Sequence, residues 1–451
     1  MIKIIKNYTK IFRGMRLPWL LLFLLVVISA IQANVEVGAI TLTASIIDGT
    51  QKAIKTDELI QYIELQLLSG IITIASTYIS GLVLQKLNLL VRLRVWNKMM
   101  NLPTSYYDSD NANELVTRVT SDADSAGNYF QLIISMFIAV YSAIVAYRQL
   151  FHFQLQMGMA LLLIIPLTIG ISVFYSVVAY RAGSKTRMTL AASMGYLAEH
   201  VRGLRLIKSF RMEDEEYRQA DDLFRKQCRS DIALSYTNMI QMGGMELIGC
   251  MCIVISFVLG GRLVASGDLT IGRLIAFYTL SGVATARMAQ ICTSVGSFSQ
   301  NAGIVQKISS ILDAEEESEA GVEMDVADAD IHVDHVSFSY GKTPVLKDVN
   351  CVFPRGKVTA IVGTNGAGKS TLFKLLERMY EPSEGEITFG DRKISEFRLS
   401  AWRKSFAIVA QEHPLLSGTI RDNIVYGVER KVTEEELIHV AKMANIYDFV
   451  M

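Results

Sequence analysis

Gly363-Thr364-Asn365-Gly366-Ala367-Gly368-Lys369-Ser370 has the spacing G-x-x-x-x-G-K-[ST]. Glycines so placed let the backbone turn until successive N–H groups point at phosphate oxygens. Lys369 then adds a cation for the β- and γ-phosphates, and the Ser370 hydroxyl adds a ligand for Mg²⁺. Such a loop needs a strand before it and a helix after it. The apolar run Val358 to Val362 reads as that strand. Thr371-Leu372-Phe373-Lys374-Leu375-Leu376 reads as that helix, and its positive end adds to the pull on an anion.

Other elements of the same region can be read from pattern. Ile331 to Tyr340 alternates apolar and polar residues, as a half-buried strand does. Phe406-Ala407-Ile408-Val409-Ala410 reads as a further apolar strand, with Gln411 at its end. His413 beside Pro414 reads as a surface residue, and Glu434 to Ala444, with His439, as a helix.

The chain around this loop is unusually apolar. Of 451 residues, 51% are hydrophobic, and 44 basic residues balance 44 acidic ones. The mean hydropathy is +0.31. No basic field favours nucleic acid. Cys228, Cys250, Cys252, Cys292 and Cys351 have neither metal spacing nor the look of a disulfide framework. A membrane span needs ~20 mostly apolar residues. Six stretches qualify: Leu17 to about Ile40, Leu59 to about Leu84, Gly127 to about Tyr147, Leu155 to about Ala179, Ser235 to about Leu259, and Leu269 to about Gly296. Lys and Arg crowd the segment before the first span and the connections after the second and fourth. Basic connections stay inside, so the N-terminus and the phosphate loop are expected in the cytoplasm. The two inner connections are long, amphipathic and poor in Gly and Pro, so helices should project beyond the bilayer.

Taken together, these segments resemble the ABC exporter family in its half-transporter arrangement. The resemblance covers nearly the whole chain. It rests on the phosphate loop, on Gly261-Arg262-Leu263-Val264-Ala265-Ser266-Gly267-Asp268-Leu269-Thr270-Ile271-Gly272, and on Gln411 to Ile424 as a Q-loop-like run. It implies a multidomain fold: an all-α polytopic membrane domain of six helices over residues 1–312, an acidic linker over 313–330, and a partial α/β P-loop ATP-binding domain over 331–451. It implies ATP and Mg²⁺ as cofactors, held by Gly363, Thr364, Asn365, Gly366, Ala367, Gly368, Lys369, Ser370 and Thr371. Tyr340 would stack on adenine. Gln411 would touch Mg²⁺ or the attacking water and report the γ-phosphate to the membrane domain. Segments around Thr104 to Glu114 and Leu206 to Glu213 would be coupling helices. The partners implied are a second half-transporter subunit, membrane lipid, and a hydrophobic or amphipathic cargo such as a drug, lipid or peptide. The location implied is the cell membrane, crossed several times.

The sequence departs from that family in one respect. No L-S-G-G-Q-type signature, Walker B strand with its glutamate, or switch histidine follows Gln411. Ile308 to Glu317 imitates a Walker B strand but precedes the loop. The expectation is therefore a truncated chain that binds nucleotide weakly and hydrolyses it poorly, within a longer ATP-driven exporter. The rival expectation is a membrane sensor or regulator that binds nucleotide without transport, or an inactive truncated homologue. Two charges inside spans are candidates for the substrate path, Glu246 in the fifth and Arg287 in the sixth. Straight helices would set them within ~6 Å in depth, able to pair or to line a wet cavity.

Overall fold

The computed structural model describes residues 10–49, 56–108, 112–324, 329–409 and 415–450. They form two compact units, Met1–Glu316 and Glu317–Met451.

The first unit is built of helices. In order they are α1 (Trp19–Gly49), α2 (Thr56–Met100), α3 (Ala112–Thr117), α4 (Ala123–Phe153), α5 (Leu155–Leu162), α6 (Ile164–Arg202), α7 (Leu204–Phe210), α8 (Glu213–Ala265) and α9 (Ile271–Asp313). Apolar sequence with few breakers favours this outcome, because in lipid the backbone groups can pair only with each other. The break at Leu163 sets Pro166 in the first turn of α6, where its missing N–H breaks no helical bond. Among the described residues, five helical stretches are long and apolar enough to cross a membrane: 19–49, 56–100, 115–153, 155–202 and 213–265. The expected sixth span, α9, lies outside that set, because Arg273, Arg287 and many Ser, Thr and Gln residues dilute it. It nevertheless packs against α1, α4, α6 and α8. At 1.5 Å per residue, α2 and α8 run ~68 and ~80 Å, more than twice a hydrocarbon core of ~30 Å.

Two cores hold the bundle. On α2 the buried residues Val83, Leu87, Val91, Val95 and Met99 recur every fourth position. They meet Ala123, Ala126 and Tyr129 of α4 and Val305, Ile308 and Ile311 of α9. The Walker B-like run thus opens as the last helical turns of α9, Ile308 to Asp313, with Ile308 and Ile311 buried, and residues 314–317 follow without forming a strand. In the second core, Val37 meets Leu150, Met157, Ile248, Phe277 and Leu280. Asp48 accepts from the Thr270 hydroxyl at 2.5 Å and the Gly272 amide at 2.8 Å, tying the end of α1 to the start of α9.

The second unit carries a four-stranded antiparallel sheet, β1 (Ile331–Tyr340), β2 (Thr343–Phe353), β3 (Glu384–Phe389) and β4 (Arg392–Lys393), in the order β2-β1-β3-β4. The strand read at 331–340 is present with those bounds. A register shift between Val333 and Val336 turns both inward beside Phe338. α10 (Lys369–Leu376) lays Leu372, Leu375 and Leu376 on this face. α11 (Leu399–Lys404) adds Trp402, whose Nε1 donates to the Leu376 carbonyl at 2.8 Å. α12 (Ile420–Ile424), α13 (Glu434–Met443) and α14 (Tyr447–Val450) follow.

Two expected strands are not formed. Residues 358–362 are irregular, with Val358 at 101% and Val362 at 91% exposure. Residues 406–409 are irregular too, and Ala410 lies outside the described residues. An apolar run becomes a strand only by pairing, since its backbone groups need partners. No described strand pairs with either run, and the sheet that does form is antiparallel. Within the acidic stretch, in contrast, two described residues are held in place. Glu317 takes a bidentate pair from Arg403 at 2.7 Å each, and Val322 bridges Phe397.

Candidate functional site

The phosphate loop links the irregular run at 358–362 to α10. Gly366 and Gly368 have φ of 84° and 85°, the left-handed region that glycine enters freely. A Cβ on Gly368 would also stand 2.5 Å from Leu346 Cδ2, so strand β2 leaves no space for a side chain there. The Ala367 amide donates to the Thr364 carbonyl at 3.2 Å and closes the turn. Gly368 caps α10 without a side-chain bond, and the first ladder bond runs from the Leu372 amide to the Gly368 carbonyl. The amides of the first turn, Lys369, Ser370 and Thr371, therefore have no acceptor within the helix. Lys369 Nζ donates to the carbonyls of Gly363 and Thr364, both at 2.8 Å. Its ammonium thus lies across the loop. Asn365 and Ser370 are exposed, whereas Thr371 is buried at 7% exposure and contributes its amide more readily than its hydroxyl.

This donor set fits a nucleoside triphosphate. Open amides, a lysine and an exposed serine hydroxyl converge on one short turn, and two left-handed glycines keep side chains out of it. Just beyond α10, burial pushes the Glu377 carboxyl up, while Arg403 and Lys374 act in the opposite direction.

Tyr340 ends β1 and is half-buried. Its ring meets Phe338 edge-on at 4.9 Å and Tyr380 edge-on at 5.3 Å. Lys374, on α10, reaches the same ring. Gln411 and His413 lie outside the described residues. His439 lies on α13, as its pattern suggests.

The two charges proposed for the membrane path part company. Glu246 is exposed on α8. Arg287 on α9 pairs with Glu36 of α1 at 3.1 Å, so its carboxylate partner is Glu36 and not Glu246. Depth along a helix fixes only one coordinate, and rotation about the axis turns Arg287 toward α1. Arg287 Nε is buried with no hydrogen-bond partner among the described residues. Sequence reasoning missed Glu36, although a lone carboxylate inside an apolar run is itself a signal. It also missed Lys374 and Tyr380, whose roles depend on folding.

Comparison with known proteins agrees with this arrangement. Residues 19–288 match the family profile described as "ABC transporter transmembrane region". Residues 346–450 match the one described as "ABC transporter". The chain is similar to a "Multidrug resistance ABC transporter ATP-binding and permease protein" of Lactococcus lactis subsp. cremoris (strain MG1363). The two are 24% identical over 455 residues, 99% of this chain and 76% of the relative. A protein of the same name from Lactococcus lactis subsp. lactis (strain IL1403) is 24% identical over 99% of this chain and 76% of its own length. A Staphylococcus aureus (strain NCTC 8325) relative is 26% identical over 368 residues, 80% of this chain and 63% of that protein. With a helical membrane unit matching over most of its length and a phosphate loop in the unit that follows, the chain belongs to the ABC transporter family.

Proposed function

We propose that this chain is an exporter-type half-transporter that uses ATP to move a hydrophobic or amphipathic compound across a membrane, working as a dimer. One observation carries the reading. A phosphate loop with open amides and Lys369 across it stands in the same chain as a bundle of helices long enough to cross a bilayer and continue beyond it. The multidrug names of the Lactococcus proteins support the cargo class.

In this reading the loop from Gly363 to Gly368 wraps the phosphates, the open amides of Lys369, Ser370 and Thr371 donate to them, and Lys369 leaves the two loop carbonyls for the β- and γ-phosphate oxygens. Tyr340 holds the adenine by stacking, which any base face accepts. Among the described residues no cluster of three or more His, Cys, Asp or Glu side chains is placed to hold a metal. Mg²⁺ would accordingly be held by Ser370, by Gln411 and by the phosphates themselves. When bound, it neutralises charge on the phosphates. Gln411 orients the attacking water. Glu246 and the Glu36–Arg287 pair supply polar contacts along the substrate path. The domain boundaries proposed are 1–312 for the membrane part, 313–330 for the linker and 331–451 for the ATP-binding part, with the N-terminus and the nucleotide site in the cytoplasm of a plasma or inner membrane. The proposal includes weak hydrolysis by residues 1–451, because they hold the cradle but no carboxylate behind an apolar strand after Gln411.

The test is ATP hydrolysis and drug uptake by the complete protein in inverted vesicles, with Lys369→Ala as the control. Uptake that depends on ATP and falls by about a hundredfold or more in Lys369→Ala is expected, since the lysine meets charge that develops in transfer. ATP binding without uptake of any amphipathic probe would favour the sensor reading. Steady hydrolysis by residues 1–451 that Lys369→Ala abolishes would remove the weak-turnover part.

A further inference from the structure

We infer that Lys374 is a positioning residue for Tyr340, and that Tyr380 is the wall against which the pair is set. The inference rests on the adenine-stacking reading of Tyr340. Lys374 stands on α10, five residues after Lys369, so the helix that begins the phosphate grip also carries it. Its Nζ lies 5.5 Å from the centroid of the Tyr340 ring and 5.6 Å from that of Tyr380. It also donates to Tyr340 Oη at 3.4 Å. Tyr380 is buried and meets Tyr340 edge-on, the planes 85° apart. Phe338, also buried, meets it edge-on at 88°.

Two consequences follow. Two buried rings and a cation fix the orientation of a side chain that would otherwise rotate at the end of a strand. Orientation matters because a stack forms only when ring and base are parallel and offset. The cation also draws π density toward itself. Set at the hydroxyl end, it lowers the density of the whole ring, whose faces then meet an electron-rich purine with less repulsion. One helix of eight residues thereby sets both ends of the ligand, phosphates through Lys369 and base through Lys374.

The experiment compares ATP with inorganic tripolyphosphate, which lacks the base, by titration calorimetry on the full chain in detergent. Lys374→Ala should weaken ATP about five- to tenfold and leave tripolyphosphate unchanged, the size expected for a partly exposed cation–π contact. Lys374→Arg should stay within about twofold of the parent, because a guanidinium also sits on aromatic faces. Equal weakening of both ligands by Lys374→Ala would overturn the inference, since the residue would then act on the phosphate grip through the helix. An unchanged ATP-to-tripolyphosphate ratio in Lys374→Ala, with a lowered ratio in Tyr340→Ala, would overturn the inference and leave the stacking reading intact. An unchanged ratio in Tyr340→Ala would remove the stacking reading and the inference with it.

Discussion

Arg287 shows how one charge is accommodated among apolar helices. A lone charge in a span costs ~2.5–3.5 kcal/mol on insertion scales. Glu36 offsets this by lying 3.1 Å away, on a helix whose sequence position is 251 residues distant. About a third of each side chain remains exposed, so the pair sits in a partly wet setting and its worth is correspondingly smaller. Removing one partner leaves the other uncompensated, which costs more than removing both. Arg287→Ala is therefore expected to lower stability by ~1–2 kcal/mol, below the range for fully buried pairs. Glu36→Gln with Arg287→Ala should recover part of that loss. Thermal unfolding of Arg287→Ala, Glu36→Gln and the double variant in one detergent measures this, and strictly additive losses would contradict a direct pair. The sequence shows both ionisable residues inside apolar runs, but not which of Glu36 and Glu246 faces Arg287. That choice depends on helix rotation, which spacing along the chain does not record.

Elements were legible where a local pattern sufficed. Alternation from Ile331 to Tyr340 is enough to define β1, and the run after Lys369 is enough to define α10. Residues 358–362 were not legible in the same way, because a strand exists only through the segment that pairs with it. Close helix contacts are equally hidden. At Gly127 of α4, a Cβ would stand 1.9 Å from Asn88 Oδ1 and 3.1 Å from the Asn88 amide nitrogen. Asn88 is buried on α2, and its Oδ1 has no hydrogen-bond partner among the described residues. Gly127→Ala gains ~1 kcal/mol of helix propensity but must displace α2, an overpacking cost of ~1–3 kcal/mol. A net loss of stability is expected, read as a lower midpoint of thermal unfolding, and a raised midpoint would refute the close contact.

A second element carries its own pH dependence. Glu436 closes a capping box at the start of α13. It takes a bond from Arg430 at 2.9 Å and one from the Thr433 amide at 2.9 Å, while Thr433 accepts from the Glu436 amide. The Arg430 bond first, and the amide second, hold its carboxyl down at about 2. The unfolded carboxyl, near 4.5, binds its proton sooner, so the unfolded state takes up more protons in this window. The contribution is therefore complete above about pH 4.5 and is lost as pH falls toward about 2. The difference in unfolding midpoint between the parent and Glu436→Gln should shrink across that window. A difference that stays constant from neutral pH down would mean the cap does not titrate.

At the scale of the molecule, both units leave apolar surface that water does not favour. On the membrane unit, Trp19, Leu20, Phe23, Ile71 and Ile74 face outward on helices long enough to span a bilayer, and lipid satisfies them. On the second unit, Val358, Val409, Leu415 and Phe449 are all more than four-fifths exposed. Large apolar surface left in water is commonly covered where a protein meets a partner. Dimerisation through nucleotide would cover part of it and set a second copy over the phosphate loop. Association should then be linked to ligand: whatever binds the dimer better than the monomer shifts the equilibrium toward the dimer by the same free energy. Light scattering of the protein in detergent, at concentrations where it is mostly monomeric, should show the mass double on adding ATP in the parent. In Lys369→Ala the mass should stay near that of one copy at the same ATP concentration. A mass that does not respond to ATP in either protein would separate nucleotide binding from assembly. The exposed residues would then call for a partner other than a second copy.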